Sequence, residues 1–326
     1  EDTPVPYNTT QNMFFTKYYG DYTGQKLNIE QLYKNPAAMK LHSYLAMKYY
    51  LPGAPESTDY PEETDVLYTS SQLGFSRNAW GGKTKTVVGV HGGYNMDSGC
   101  QVDIGNFFYE YKGIVFADDP GIENYAISYT TAYPARAEGA NVWVVNPDAS
   151  YGQSLEGYGD LNMKESKPDG VIYTLDLSSA YEGYVESALR GFMLSENRTV
   201  FTVQDEIKPF EGENDFYWFW HTLADITVNE NSRSVSLARN GVVCKIYFDS
   251  NVDFTITKQD VLTSLPGSPV VEGQNQMPHA AKMHKIVVNF QSSGEPIIFR
   301  ATAVPFGKNI DRDTLAPISE WTIPNP

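Results

Sequence analysis

Beyond Asp65 the apolar positions fall in short runs of β-branched and aromatic residues, separated by Gly, Asn, Asp and Pro. That is how an antiparallel sheet protein is written. Asn106–Tyr111 and Ile114–Ala117 flank Lys112-Gly113 and predict a hairpin. Ser234–Ala238 and Val242–Phe248 flank Asn240-Gly241, and Asn-Gly is a strong hairpin signal because both turn positions need positive φ. Further strands are predicted at Thr86–Val90, Asn141–Val145, Val171–Leu175, Val185–Leu194, Thr199–Asp205, Phe216–Thr222, Lys285–Phe290 and Ile297–Val304. No internal repeat of fixed period interrupts the series.

The first sixth of the chain has a different pattern. Asn28 with Gln31 resembles a capping pair, and Asn35-Pro36 places a cap before a first-turn proline. Leu41, Tyr44, Leu45 and Tyr49 recur at helical spacing, so Ala37–Tyr50 reads as an amphipathic helix that Pro52-Gly53 stops. Leu51–Asp65 is rich in Pro, Glu, Ser, Thr and Asp and suits a linker. The expected organisation is a helical segment and linker over 1–58, followed by a large antiparallel β-sandwich over 59–326. The fold class is mainly β with a short α-helical preface.

Charge narrows the range of partners. The net charge of -16 disfavours nucleic acid and anionic membranes, both of which need clustered Lys and Arg. It also weighs against a heavily sulfated polyanion, unless a local basic patch intervenes. No apolar run is long enough to cross a bilayer, and Glu1–Gly20 lacks signal-peptide sections, which says nothing about export. Cys100 and Cys244 make no disulfide framework or zinc ribbon, and two ordinary buried thiols are expected. Abundant Tyr, Asn and Gly, with sequons at Asn8 and Asn197, have the texture of an exported or surface bacterial protein that handles glycans.

The segment from Val90 to Tyr125 is the most specific in the chain. It runs V-HGGYNMDSGCQVDIGNFFYEYKGIVFADDPGIENY. It resembles the signature of heparinase II/III-like polysaccharide lyases, in which G-G-H-N leads to S-H-N-H-N-D-V-G-N-F, two strands about a Gly turn, and D-x-G. Gly92-Gly93-Tyr94-Asn95 stands for the first element, Ser98 to Phe107 for the second, and Asp119-Pro120-Gly121 for the last. Arg77 and Trp80, Asn141-Val142 with Gln153, Arg190 followed by Thr199–Glu206, and Trp218 to His221 follow in the family's order.

The resemblance implies a sheet domain that closes with an upstream helical toroid over a uronic-acid-containing glycan; the short helical preface would then be a toroid remnant. Elimination in such a site neutralises the substrate carboxylate and removes the C5 proton with a positioned base. In this chain the family's assisting His falls on Gly99. Its zinc ligands fall on Gln101, Asp119 and Ala140, so the zinc site is expected to be lost and no cofactor is expected.

The residues themselves offer substitutes, each with a plainer alternative. His91 could replace the lost imidazole, with Tyr94 as proton carrier and Asn95 as carboxylate binder, or His91 could simply hydrogen-bond at a loop base. Asp103 reads as a structural carboxylate at a strand start, and Asp118-Asp119 as a solvated turn. His279 and His284 read as a loop and strand pair without a metal. In the run Phe216 to Trp220, Trp218 and Trp220 could stack on sugar rings, although alternation in a strand would send them into the core. Gly92-Gly93 lacks the G-K-[ST] of a phosphate loop.

Three functions fit: a lyase-type module on an acidic glycan, impaired or dependent on a toroid; a non-catalytic carbohydrate-binding or structural module; and a plain scaffold.

Overall fold

The structure is a computed structural model that describes residues 63–80, 85–95, 101–121, 133–271, 279–308, 310, 312 and 314–324. The helix expected over Ala37–Tyr50, most of the linker, Gly99 and Cys100 lie outside the described residues. The chain divides between Thr64 and Asp65, and the second unit holds all the described strands.

Every sheet is antiparallel. The first consists of β1 (Asp65–Tyr68), β2 (Leu73–Arg77), β3 (Thr86–His91), β5 (Phe107–Tyr111) and β6 (Ile114–Ala117), in that order. A two-stranded ribbon joins β4 (Gly93–Tyr94) to β8 (Tyr158–Gly159). The large sheet runs β14 (Asp225–Asn229), β15 (Ser234–Arg239), β16 (Val242–Ser250), β19 (Ile297–Pro305), β12 (Val200–Pro209), β11 (Val185–Ser195), β10 (Gly170–Asp176) and β9 (Leu161–Lys167). The remaining sheet runs β17 (Phe254–Asp260), β18 (His284–Ser292), β13 (Asn214–Thr222) and β7 (Trp143–Val145).

Both predicted hairpins form, the Asn240-Gly241 one for the predicted reason. Lys112 and Gly113 lie at φ 54° and 76°, and Asn240 and Gly241 at φ 50° and 77°. The exposed sequon residue Asn197 lies in the turn between β11 and β12.

Aromatic side chains join the three larger sheets into a sandwich. Phe107 of the first sheet meets Phe192 and Phe201 of the large sheet edge-on, and Trp220 of the remaining sheet at 5.1 Å. Trp218 meets Phe299 of the large sheet at 5.2 Å. One layer is thus the eight-stranded sheet; the facing layer is shared by the five- and four-stranded sheets. Those two adjoin where Trp220 Nε1 donates to the Phe116 carbonyl at 2.7 Å and Asp118 N to the His221 carbonyl at 3.0 Å.

Strand β13 is buried on both faces, and this decides the fate of its aromatic run. Phe216, Trp218 and Trp220 enter the main core, while Phe219 packs with Ala140, Val142 and Val287 on the other side. Trp218 and Trp220 are each 0% exposed, which corrects the expectation that they touch a glycan: their faces are consumed by other rings.

The outer face of the large sheet carries a strap. Ile318, Trp321 and Ile323 cover Ile172, Leu189 and Met193. Gly191 makes room for it, since a Cβ there would lie 2.8 Å from the Trp321 ring. Lys164 Nζ donates to the carbonyls of Ile318, Ser319 and Trp321, and Lys167 Nζ to that of Ile323.

Candidate functional site

The described residues of the segment singled out in the sequence, 90–95 and 101–121, lie where the three larger sheets meet. The end of β3 and the start of β5 are clasped by main-chain bonds, His91 N to Asn106 O at 3.0 Å and Gly105 N to His91 O at 2.9 Å. Gly105 has φ +96°, which favours glycine, and a side chain there would press on Leu177 and Arg190.

Asn106 is the hub of a polar network. Its Nδ2 donates to Asp103 Oδ2 at 3.1 Å and Asp119 Oδ2 at 2.8 Å, and its Oδ1 accepts from Phe107 N and Asn141 N. Asn141 carries the network on. Its Nδ2 donates to the Phe107 and Asp118 carbonyls, and its Oδ1 accepts from His221 N at 2.6 Å. Because the main chain of Asn141 is held by Asn106 and by Arg190, the strand expected over Asn141–Val145 begins only at Trp143.

Arg190, fully buried, completes the frame. It grips both oxygens of Asp205 at 2.7 and 2.8 Å and donates from Nη1 to the Gly105 and Asn141 carbonyls. Asp205 also accepts from the indoles of Trp143 and Trp218. A buried charge is tolerable when it is paired and fully hydrogen-bonded in this way.

His221 opens a second buried chain. Its Nε2 lies 3.0 Å from Tyr133 Oη, which accepts from Lys285 Nζ at 3.0 Å; Lys285 also donates to the Thr263 carbonyl. Burial, then the Lys285 charge, pushes the imidazole pKa well below 6.5, so His221 is neutral. Burial pushes the Lys285 ammonium down to about 8, against the opposing pull of Glu138. Sequence reading missed Lys285 and Tyr133. The available signal was a lysine inside an apolar strand, and it pairs in register with His221.

Two of the candidate catalytic residues, His91 and Asn95, are brought to one end of this network through Asp103. His91 Nδ1 lies 3.3 Å from Asp103 Oδ1, and its side chain is 29% exposed. Asn95 is buried, with its Nδ2 donating to Gln153 Oε1 and the Ser154 carbonyl and its Oδ1 accepting from Asp103 N. Its amide is therefore committed to the scaffold. Tyr94 is exposed on the ribbon. Gln153, also noted in the sequence, braces the Asp103–Gly105 turn by bonding both the N–H and the carbonyl of Ile104. His279 and His284 lie at a short 3-10 turn and at the start of β18, and His284 meets Asp260 at 3.1 Å.

The pair Asp118-Asp119, expected to form a solvated turn, is half-buried and structurally engaged. Asp119 accepts from Gly121 N at 2.6 Å and from Asn106, while burial and then the charge of Asp103 push its pKa up to about 7. Around the zinc positions the donor chemistry does not suit the ion. Ala140 offers no ligand, Gln101 a weak one, and both oxygens of Asp119 already accept hydrogen bonds.

Fold and centre together define an antiparallel β-sandwich pinned by a buried polar frame at the junction of its sheets. Solved structures share this architecture. A heparinase III with methylated lysines superposes with TM-score 0.65 at 14% identity, covering 94% of this chain and 42% of that one. The heparan sulfate lyase HepC from Pedobacter heparinus gives TM-score 0.60 at 14% identity over 91% of this chain and 42% of its own. The chain thus spans less than half the length of the structures it matches. The fold is the heparinase III sandwich. No protein-family model and no curated protein matches the sequence.

Proposed function

We propose that the sandwich is the sheet half of a polysaccharide-lyase-type protein that engages a uronic-acid-containing glycan and carries out little or no elimination by itself. The observation that carries this reading is the position of the motif segment. Asp103, Gly105, Asn106, Asp119, Asn141 and Arg190, which match the family's pattern, converge on one polar frame, with His91 and Asp103 at its partly exposed end.

Elimination needs a group that neutralises the substrate carboxylate and a base for the C5 proton. Within this unit the base is His91, oriented by Asp103, with Tyr94, three residues on and exposed on the ribbon, as the proton carrier. The neutralising group has to come from elsewhere, an upstream helical toroid on this reading, because the Asn95 amide is spent internally and Gly99 carries no imidazole. The protein works outside the cell or on its surface, where such glycans are met; among the described residues no helix is long and apolar enough to cross a membrane.

The commitment of Asn95 and the residue at Gly99 also favour a second reading, a carbohydrate-binding or structural module that kept the fold after losing the chemistry. Incubation with uronate polymers separates the two by the ultraviolet absorbance of the unsaturated product. A rise abolished by His91→Ala supports the lyase; retention on glycan without absorbance supports the binder. Neither signal would sink both readings.

A further inference from the structure

Lys285 is fully buried in β18, and its ammonium is held by segments far apart in the chain. Nζ donates to Tyr133 Oη at 3.0 Å and to the Thr263 carbonyl at 2.6 Å, and it lies 4.6 Å from the centre of the Tyr133 ring and 5.6 Å from that of Phe219. Its strand partners are His221 on β13 and Gln259 on β17. Glu138 is the carboxylate whose charge acts on the ammonium, and it is itself bonded to Arg136 and Ser268. Asp260, beside Gln259, pairs instead with His284.

These bonds decide where the protons lie. An ammonium only donates, so Tyr133 Oη accepts from Lys285 and its own proton is left for His221 Nε2, 3.0 Å away. A neutral imidazole that accepts at Nε2 carries its proton on Nδ1. Nδ1 then donates to Asn141 Oδ1 at 3.2 Å, the oxygen that also receives His221 N, while the Glu138 main-chain carbonyl draws on a ring proton as well.

Loss of the Lys285 proton reverses this order. A neutral amine has two N–H groups and a lone pair; Thr263 keeps one donor, and the lone pair receives the Tyr133 hydroxyl. The Tyr133 oxygen can then accept from Nε2. One proton leaves Nζ for solvent, the imidazole proton moves from Nδ1 to Nε2, and Nδ1 is left bare opposite Asn141 Oδ1.

We propose that Lys285, Tyr133 and His221 form a proton-directed switch: charged Lys285 holds His221 as the Nδ1–H tautomer bound to Asn141, and neutral Lys285 turns it to the Nε2–H tautomer, which releases the ring from Asn141. The switch stands on these bonds and does not depend on the glycan reading. It reaches the frame behind the candidate site, because Asn141 N also serves Asn106 Oδ1. Burial sets its turning point by pushing the Lys285 ammonium down to about 8.

Long-range 1H–15N spectra of the full chain, labelled in its histidine rings, test the proposal. His221 is recognised as an imidazole that stays neutral in mild acid, since burial holds its pKa well below 6.5. In the wild type its proton should sit on Nδ1 at about pH 6.5 and on Nε2 at about pH 9.5, with the change centred near 8. Tyr133→Phe keeps the ring beside the ammonium and removes the hydroxyl, so its His221 signals should no longer change with pH. Lys285→Met should behave in the same way. One tautomer at both pH values in the wild type, or a change that persists in Tyr133→Phe, would overturn the switch. The wild-type spectra decide alone if neither variant folds.

Discussion

Arg190 and Asp205 form a two-pronged ion pair, at 2.7 and 2.8 Å, inside a sandwich that gives neither side chain access to water. The same guanidinium holds the carbonyls of Gly105 and Asn141, so one side chain ties two strands of the large sheet to the turn carrying the motif. Arg190→Met strands the Asp205 carboxylate and both carbonyls. It should cost about 3–5 kcal/mol in guanidinium denaturation. Adding Asp205→Asn should recover part of that loss, and a loss below 1 kcal/mol in the single variant would contradict the role given to the pair.

Gln153 makes a smaller version of the same argument. Its amide satisfies Ile104 on both main-chain groups and also meets Asn95 and the Tyr181 hydroxyl. Gln153→Leu keeps the bulk and removes the bonds. About 2–3 kcal/mol should be lost, because buried main-chain groups are left without partners.

Asp119 sets a pH dependence on the acid side. Its pKa rises from 3.8 to about 7 on folding, so between those values the folded protein holds a proton that the unfolded chain has released. Its contribution to stability therefore falls as pH rises through that window. His221, kept neutral by burial, gives the opposite slope below 6.5. The effect is read as the difference between wild type and Asp119→Asn in urea melts at pH 4.5 to 7.5: the variant should gain relative stability with pH, and parallel curves would refute the assignment.

Lys285 acts on the alkaline side. Its pKa falls from 10.5 to about 8, so above pH 8 the unfolded chain holds the proton that the folded protein gives up. Stability should rise from pH 8 to about 10, where the unfolded tyrosines begin to ionise and reverse the trend. Lys285→Met should flatten that rise. A slope retained in Lys285→Met would assign it to another group.

Much of the sheet framework can be read from the sequence because local chemistry dictates it. Asn240-Gly241 and Lys112-Gly113 have to turn, and the strands flanking them are strongly apolar. Strands β1, β2, β4, β8, β9, β14 and β17 escape such a reading. Leu161–Lys167 alternates with five polar residues in seven, which looks like a loop until Leu161 and Met163 join the main core on its apolar side. In the site, the single residues Asn106, Asn141, Arg190 and His221 stand out by motif. Their connections do not, because Asn106 bonds to Asn141 across 35 positions and Tyr133 to His221 across 88. Lys285 breaks the rule that lysines lie outside, and the Tyr133 and Thr263 oxygens, with the Tyr133 ring below its ammonium, explain how it is accommodated.

The strap across the large sheet bears on how the protein can be handled. Ile318, Trp321 and Ile323 shield a greasy surface that β10 and β11 would otherwise present to solvent. A shortened chain ending near residue 312 would keep the frame around Arg190 but become adhesive, and light scattering should reveal its clumping well below the melting temperature. Tags and immobilisation chemistry therefore belong away from this tail.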